Sequence, residues 1–401
     1  MKILVADRFD ALAIEALKAI GEVDVRPDAT ADDLPGLVHD LRPAALLVRS
    51  TRVNARTLGA SDRLALVVRA GAGCDVIDVP EASRRGIFVA CTPGKNATAV
   101  AELVWGLILG LDRRIVEQVV DLRAGRWNRA EYAKANGVWG KTLGIVGFGQ
   151  VGREIAARAK AFGMRVVAWS RSLTEEAADK AGVDYVSNIV NLARLADVVS
   201  VSVVSSPDTQ DLLGDKFFNA MRPGAIFVNT SRVGVVDEKA LAKAITEKQL
   251  RCGIDIFAHE PSGGAGELRN DLARSAAVYG THHIGAQTEQ AQRATATEAV
   301  RVIRTWAETG IVPNCVNRAA ATPATALLTV RHLNKPGVLA HIFYTLGQAQ
   351  INVEEVDNVV YEGGEAACAK IQLSRLPSEE HIVTIRKNPN VLGTSLSLIK
   401  R

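Results

Sequence analysis

The sequence predicts an α/β protein in which two layers built on parallel sheets are followed by a smaller α+β module. Short apolar runs alternate with helical patterns along most of the 401 residues, as in parallel sheets covered by helices. A glycine-rich turn opens the second set of runs near residue 147, so a unit of domain size precedes it. Small residues ended by proline, at 317–323, mark a linker before the last module.

The first layer is predicted from residues 1–95 and 288–318, which makes it discontinuous in the chain. We expect a flavodoxin-like parallel sheet, to which a strong helical pattern over residues 289–309 returns. The other elements predicted for this layer are strands Lys2–Ala6, Ala44–Val48, Ala65–Arg69 and Val89–Cys91 and helix Ala11–Ile20.

The second layer is predicted from residues 96–287 and begins with a long helix at Ala97–Arg113. Its strands are Leu143–Val146, Arg165–Trp169, Val198–Val203, Ala225–Asn229, Cys252–Ile256 and Val278–Gly280. The last module, residues 325–401, has the β-α-β-β-α-β order of ferredoxin-like folds. Its predicted elements are strands Leu327–Val330, Ile351–Asp357 and Ala367–Gln372 and helices Pro336–Leu346 and Glu379–Arg386.

The composition is that of an ordinary globular protein. Hydrophobic residues make up 48% and charged residues 23%, and the net charge of +4 includes no basic run. We therefore expect neither nucleic-acid nor membrane partners. The five cysteines show no CxxC pair or metal-ligand spacing, and Met1–Asp7 is too short and acidic for a signal peptide. These features predict reduced thiols, a cytoplasmic location and no bound metal.

The glycine-rich turn is a dinucleotide-binding pattern in its expected setting, between a strand and a helix predicted at Arg153–Phe162. Gly147 permits a tight turn, Gly149 lets the backbone approach a pyrophosphate, and Gly152 lets helix and strand pack closely. The helix N-terminus offers unpaired N–H groups to the phosphates. We predict a Rossmann layer whose dinucleotide contacts these glycines together with Gln150 and Val151.

The choice between NAD and NADP stays open at this point. NAD-binding layers carry an acidic residue at the end of the second strand, where it binds the ribose hydroxyls. Here that strand ends in Ser170 and Arg171, and neither is acidic. These two residues can accept the 2′-phosphate of NADP, or Arg171 can lie over the adenine of NAD.

Three polar segments follow predicted strands, where open parallel sheets place their ligand crevice. They contain Arg232 in an Arg-x-Gly, Glu260 in a Glu-Pro and His283 in a His-Ile-Gly sequence. In this order, and over residues 1 to about 318, the sequence resembles the D-isomer-specific 2-hydroxyacid dehydrogenase family. The resemblance implies an oxidoreductase that uses NAD more often than NADP, with these three residues as its catalytic group.

The chemistry of this reaction agrees with the three residue types. Histidine titrates near neutral pH and can take the hydroxyl proton of a 2-hydroxy acid, for which His283 is the candidate. Glu260 can orient the imidazole, and Arg232 can hold the substrate carboxylate with a fixed cationic fork. A metal site at His259, His282 and His283 is the alternative, but no accepted ligand spacing is present.

The resemblance also carries ligand-binding residues to this sequence. Asp255 matches a position that contacts the nicotinamide carboxamide. The other implied cofactor residues are Thr98, Thr230 and Ser231. The implied substrate residues are Arg49, Ser50, Arg69, Ala70, Gly71 and Asn96. The loops at residues 48–51 and 69–75 resemble those of D-3-phosphoglycerate dehydrogenases, whose arginines can clamp a phosphate; the alternative is that each arginine only closes its strand.

The last module resembles an ACT domain, a module that senses amino acids. His332, Asn334 and Asn352 match positions that bind serine in feedback-inhibited phosphoglycerate dehydrogenases, which implies L-serine as an effector; the alternative is that they support the fold. The family also implies a homodimer or homotetramer.

Three functions are compatible with these sequence features. The ACT-like module favours 3-phosphoglycerate oxidation in serine biosynthesis, whereas Lys95, Ser202 and Val204 depart from the family pattern and leave the substrate open. A glyoxylate/hydroxypyruvate-type reductase is the second candidate. A nucleotide-sensing corepressor on the same fold is the third.

Overall fold

The computed structural model describes residues 1–261 and 265–399 and divides into two compact units, Met1–Asn317 and Arg318–Arg401. The predicted second layer includes residues 262–264 and the predicted last module includes residues 400–401, which lie outside the described residues.

The first sheet has five parallel strands in the order β2-β1-β3-β4-β5, which is the flavodoxin-like order. Its strands are β1 (Lys2–Val5), β2 (Glu22–Val25), β3 (Ala45–Val48), β4 (Leu66–Arg69) and β5 (Phe88–Ala90). The helices of this segment are α1 (Ala11–Lys18), α2 (Leu34–Leu41), α3 (Ala55–Leu58) and α4 (Val79–Arg84). Strand β2 was not among the predicted strands, because its Glu-Val-Asp-Val sequence lies at a partly exposed sheet edge.

The second sheet has seven parallel strands in the order β12-β11-β10-β9-β6-β7-β8. Its strands are β6 (Thr142–Val146), β7 (Arg165–Trp169), β8 (Asp184–Tyr185), β9 (Val198–Val201), β10 (Ile226–Asn229), β11 (Arg251–Ile254) and β12 (Val278–Gly280). The helices are α5 (Ala97–Arg113), α6 (Ile115–Arg123), α7 (Arg129–Tyr132), α8 (Gln150–Ala161), α9 (Glu175–Ala181), α10 (Ile189–Leu195), α11 (Asp215–Ala220) and α12 (Glu238–Lys248). The strand order reverses between β6 and β9, where such sheets bind ligands at their carboxyl ends.

Helix α13 (Glu289–Thr309) matches the predicted range and packs on the first sheet. Val300, Val302 and Ile303 lie in one buried cluster with residues of β1, β3 and β4. After the helix, the N–H of Val316 donates to the carbonyl oxygen of Val89 on β5 at 2.8 Å. In the structure, the first layer is therefore built from two separate segments of the chain.

The unit Arg318–Arg401 contains an antiparallel sheet in the order β14-β15-β13-β16. Its elements are β13 (Ala326–Leu333), α14 (Val338–Gln348), β14 (Val353–Val360), β15 (Ala366–Leu373), α15 (Glu379–Arg386) and β16 (Val391–Leu398). Apolar side chains from both helices pack with those of the inner strands in one buried cluster. This chain order and sheet order are those of the predicted ferredoxin-like module, so the predicted fold class is confirmed.

Two negative findings apply to residues 1–261 and 265–399. No helix there has both the length and the apolar character needed to cross a membrane. Nor do three or more histidine, cysteine, aspartate or glutamate side chains come together in a way that could hold a metal ion.

Glu298 on α13 contacts two other segments of the chain, one before α5 and one after α13. Its carboxylate is buried and accepts hydrogen bonds from Arg301 Nη2 at 2.6 Å and from Asn314 Nδ2 at 2.8 Å. Lys95 Nζ lies 3.6 Å from the second oxygen, in the segment between the two sheets. The hydrogen bond from Arg301 is the main cause that lowers the pKa of Glu298 to about 2, with Asn314 and Lys95 adding to it.

The substitution Glu298→Gln is expected to destabilise the protein by about 1–3 kcal/mol at pH 7, because it removes a buried charge-assisted acceptor. Since the pKa falls from 4.5 to about 2 on folding, the charge stabilises the protein above pH 4.5. This stabilisation is lost as the pH falls towards 2, so the difference between wild type and variant should shrink there. Urea unfolding at several pH values measures it.

The matched control is Glu289→Gln on the same helix, where the carboxylate is 85% exposed and paired with Arg293. We expect its free energy of unfolding to stay within about 0.5 kcal/mol of wild type. An equal loss in both variants would show that Glu298 has no special role.

Candidate active site

The three glycines of the turn after β6 are required for different steric reasons. Gly147 has φ +100°, and a Cβ there would lie 2.5 Å from the carbonyl oxygen of Ser202. A Cβ on Gly152 would lie 2.3 Å from the carbonyl oxygen of Gly147, so this glycine lets α8 pack on β6. A Cβ on Gly149 would meet no described atom within 4 Å. The side-chain position of Gly149 therefore faces open space, where a ligand can approach the backbone.

Helix α8 begins directly at this turn and presents its N-terminus to the same space. It begins at Gln150, three residues earlier than predicted, because Gly152 lies inside the helix. Gly149 at the cap supplies no side-chain acceptor to the first-turn N–H groups, including that of Val151. The open glycine and the uncapped helix end form a cradle that fits the pyrophosphate of a dinucleotide.

His283 and Glu260 form a hydrogen-bonded pair. The imidazole Nδ1 lies 2.8 Å from Glu260 Oε2, and a carboxylate can only accept, so Nδ1 carries the proton. The other oxygen of Glu260 accepts from the N–H of Phe257 at 2.8 Å, which fixes the carboxylate. The imidazole is thereby held in the tautomer whose Nε2 is free to accept a proton.

Asp255 shapes the loop that carries His283. Its buried carboxylate, at the end of β11, accepts from Thr281 Oγ1 at 2.6 Å and from the N–H groups of Ile284 and Gly285 at 2.9 Å each. His283 itself adopts a left-handed backbone conformation at φ +53°, so the chain is not extended at this residue. Besides the predicted contact with the cofactor, Asp255 thus has a structural role in positioning His283.

Arg232 is fixed against the first layer by Asp75. Its Nε and Nη2 donate to Asp75 Oδ2 at 3.0 and 2.7 Å, and its Nη1 donates to the carbonyl oxygen of Ser231 at 2.8 Å. Asp75 follows β4 and Arg232 follows β10, so this ion pair joins the two walls of the cleft.

Arg69 places a second guanidinium beside Arg232. Its Nε donates to the carbonyl oxygen of Arg49 at 3.0 Å and its Nη1 to that of Gly73 at 2.7 Å. Burial and the neighbouring charge of Arg232 lower the pKa of Arg69, and Asp75 opposes the shift. An anion bound between these two arginines would relieve their repulsion.

Arg49 and Ser50 are positioned by Asp7, at the end of β1. The N–H of Arg49 donates to Asp7 Oδ2 at 2.7 Å, and Ser50 Oγ donates to Asp7 Oδ1 at 2.8 Å. The Arg49 guanidinium donates to the side-chain oxygen of Gln287. Burial lowers the pKa of Arg49, and the charge of Asp7 opposes this shift.

A cavity of about 390 Å³ lies between these groups. The predicted residues that line it are Arg49, Ser50, Arg69, Ala70, Gly71, Asn96, Thr230, Arg232, Asp255 and His283. Glu260 stands behind His283, and Thr98 lies exposed in the first turn of α5. Ser231 is buried and donates its hydroxyl to Asn229 at 2.8 Å. The residues predicted to bind substrate therefore line one cavity together with Arg232 and His283. Thr98 and Ser231, which were predicted to bind the cofactor, do not line it.

Two buried polar atoms in the cavity wall indicate a ligand. Asn96 Oδ1 and Thr230 Oγ1 have no hydrogen-bond partner among the described residues. Buried polar atoms in proteins are ordinarily hydrogen-bonded, so these atoms fit contacts to a bound dinucleotide or substrate.

Several site residues were missed by the sequence reasoning. Asp7 and Asp75 position arginines that lie 42 and 157 residues away in the sequence, respectively. Gln287, Gln292 and Thr295 line the cavity from the loop after His283 and from α13. The sequence marks these aspartates only by their positions. Asp7 follows an apolar run, and Asp75 lies in the loop that follows another.

Residues 105–285 match the family described as D-isomer specific 2-hydroxyacid dehydrogenase, NAD binding domain. A glyoxylate reductase from Thermococcus litoralis is 33% identical over 330 residues, which cover 80% of this chain and 98% of that protein. The chain belongs to the D-isomer specific 2-hydroxyacid dehydrogenase family. The predicted family is confirmed, and the cofactor is NAD, the dinucleotide that the resemblance favoured.

Other members of the family show how far the similarity extends. A hydroxypyruvate reductase from Thermotoga maritima is 36% identical over 75% of this chain and 97% of its own length. A D-3-phosphoglycerate dehydrogenase from Methanocaldococcus jannaschii is also 36% identical, over 79% of this chain. This chain spans only 59% of the length of that dehydrogenase.

In the C-terminal unit, the three predicted effector residues make internal contacts. His332 is buried, with Nδ1 2.8 Å from the carbonyl oxygen of Leu333 and Nε2 3.1 Å from Asn358 Oδ1. Asn334 Nδ2 donates to the carbonyl oxygen of Gly364 at 3.0 Å, and Asn352 Nδ2 donates to Glu354 at 2.9 Å. These bonds support the fold of the unit, and an effector would have to displace some of them.

The substitution Gly149→Ala is expected to weaken NADH binding at least tenfold while the melting temperature stays unchanged. Its methyl group would meet no described protein atom but would occupy the approach of the pyrophosphate. Calorimetric titration with NADH and a thermal melt measure the two properties.

Gly152→Ala is the matched comparison and should lower the melting temperature, because its Cβ meets the Gly147 carbonyl oxygen. Wild-type NADH affinity in Gly149→Ala would contradict the placement of the pyrophosphate.

Proposed function

We propose that this chain is an NAD-dependent dehydrogenase that oxidises 3-phospho-D-glycerate to 3-phosphohydroxypyruvate. The observation that carries the proposal is the convergence of Arg49, Arg69 and Arg232 on the cavity that His283 lines. One arginine suffices for a substrate carboxylate, and the others fit a second anionic group such as a phosphate. In this proposal, residues 1–95 and 288–318 form the substrate-binding domain and residues 96–287 the NAD-binding domain.

The reaction divides between the cofactor and the side chains of the chain. Bound NAD supplies the hydride acceptor. His283 Nε2 takes the hydroxyl proton as the C–H and O–H bonds of the alcohol become a carbonyl, and Glu260 stabilises the resulting imidazolium through Nδ1. Arg232 holds the substrate carboxylate, and Asp75 keeps its guanidinium in place.

His283→Ala is expected to lower kcat by about 10²- to 10⁴-fold, because the proton acceptor is lost. The Kd for NADH should remain that of wild type. His282→Ala is the matched control, since His282 is the exposed neighbour of His283, and it should retain activity. An equal loss of kcat in the two variants would contradict the assignment of the base.

Arg49→Ala tests the phosphate clamp. We expect kcat/KM for 3-phosphohydroxypyruvate to fall at least a hundredfold, because a desolvated charge-assisted contact is lost, while kcat/KM for glyoxylate changes less than threefold. Arg52→Ala, an exposed arginine on the same loop, should affect neither substrate. Equal losses on both substrates in Arg49→Ala would refute the clamp.

A glyoxylate or hydroxypyruvate reductase is the second candidate. The near full-length similarity to the enzymes from Thermococcus litoralis and Thermotoga maritima favours it. In that case Arg49 and Arg69 would position the loops and the small keto acid would contact Arg232 alone. If no 2-hydroxy or 2-keto acid is turned over, a nucleotide-sensing binding protein replaces both candidates.

We also propose that the chain forms a homodimer through α6, with the C-terminal units extending it to a tetramer. Every residue of α6 is at least partly exposed, and Ile115, Val116, Val119 and Val120 form an apolar stripe on it. Such a stripe on a monomer would remain in water, and a second copy can bury it.

Replacing Val116 and Val120 together by glutamate should therefore yield a monomer in size-exclusion chromatography with light scattering. Leu12→Glu, at an isolated exposed leucine on α1, serves as the control and should keep the wild-type mass. An unchanged mass in the α6 variant would exclude this interface.

L-serine is proposed as an effector of the C-terminal unit, as expected for a first enzyme of serine biosynthesis. The same kinetic assays with and without serine test it. Five unpaired cysteines support a reducing compartment, for which we propose the cytoplasm.

A further inference from the structure

The end of β7 presents a cation where NAD-binding sheets usually present an acid. The N–H of Gly147 donates to the carbonyl oxygen of Trp169 at 2.8 Å, so the end of β7 lies beside the glycine turn. Two residues later, Arg171 follows at the position that meets the adenosine ribose in this fold. A free guanidinium there would attract the 2′-phosphate of NADP and disfavour the choice of NAD.

The guanidinium of Arg171 is paired with an acid from another loop. Its Nη1 donates to Asp208 Oδ2 at 2.7 Å, although the two residues are 37 positions apart in the sequence. Asp208 belongs to the loop after β9, the strand that pairs with β6 on the other side of the reversal in strand order. The acid absent from the end of β7 is thus supplied by the loop after β9, a strand on the other side of β6.

The loop that carries Asp208 is held by hydrogen bonds of its own. Pro207–Thr209 form a short 3-10 turn in which the N–H of Ser206 donates to Thr209 Oγ1 at 2.8 Å. Thr209 is 3% exposed and donates its hydroxyl to the carbonyl oxygen of Val204 at 2.8 Å. Asp208 therefore lies in a turn that is held by internal hydrogen bonds.

We propose that Asp208 determines the specificity for NAD over NADP. Its carboxylate pairs with the guanidinium of Arg171 and would place a negative charge near the ribose 2′ position of a bound dinucleotide. A 2′-phosphate would lose its cationic partner and meet the charge of Asp208, whereas the hydroxyl of NAD carries no charge to repel. The inference concerns the cofactor alone and does not depend on the proposed substrate.

Calorimetric titration of the full chain with NADH and with NADPH, without substrate, tests the role of Asp208. In Asp208→Asn we expect the Kd for NADPH to fall roughly tenfold, because one repulsive charge is removed and Arg171 is released. The Kd for NADH should change less than threefold. The NADPH effect should shrink at high salt, since the groups are exposed.

Asp184→Asn is the matched control. Asp184 pairs with Arg165 at 2.5 Å in another exposed ion pair, at the opposite end of β7, and its removal should leave both Kd values unchanged. The double variant Arg171→Ala with Asp208→Asn should lose the gain in NADPH affinity. An unchanged ratio of the two Kd values in Asp208→Asn, or a gain that survives the loss of Arg171, would overturn the proposal.

Discussion

The arrangement of the candidate active site depends first on the hydrogen bonds that the buried carboxylate of Asp255 accepts. It accepts hydrogen bonds from Thr281, Ile284 and Gly285, and so closes the loop that carries His283. The N–H of His283 in turn donates to the carbonyl oxygen of Asp255 at 2.8 Å, which holds the histidine in its left-handed conformation. A buried carboxylate with three donors is rigidly placed, because each lost bond would leave a buried charge unsatisfied. The direction of the imidazole towards Glu260 follows from this local network.

Other carboxylates near the ends of the strands also hold functional groups, although Asp75 and Asp208 are exposed. Asp7 binds the backbone of the loop that carries Arg49, Asp75 binds the guanidinium of Arg232, and Asp208 binds Arg171. In each case a carboxylate from one strand end fixes a functional group from another. Because all the strands of a parallel sheet end at one edge, residues distant in the sequence meet there. The site is thus a set of cationic groups whose positions are set by fixed acids.

The elements that could be predicted from the sequence have either a long helical pattern or a continuous apolar run. Helices α5 and α13 were predicted to the residue, because each buries one continuous face. Strands β2 and β8 were missed, since they lie at sheet edges and carry charged residues. The glycine turn and the residues predicted to be catalytic each lie in a short local motif, which a single sequence can show. The acids that hold Arg232 and Arg171 were not, because 157 and 37 residues separate them from their partners and no local pattern marks such a contact.

In the proposed function, the cleft combines a histidine–glutamate base with more cationic groups than one carboxylate requires. The most direct test compares 3-phosphohydroxypyruvate with hydroxypyruvate, which differ only in the phosphate, as substrates of the wild-type chain with NADH. We expect a kcat/KM at least tenfold higher for the phosphorylated acid, because Arg49 and Arg69 then have an anion to bind. Equal kcat/KM values, or a preference for hydroxypyruvate, would contradict the binding of a substrate phosphate by these arginines.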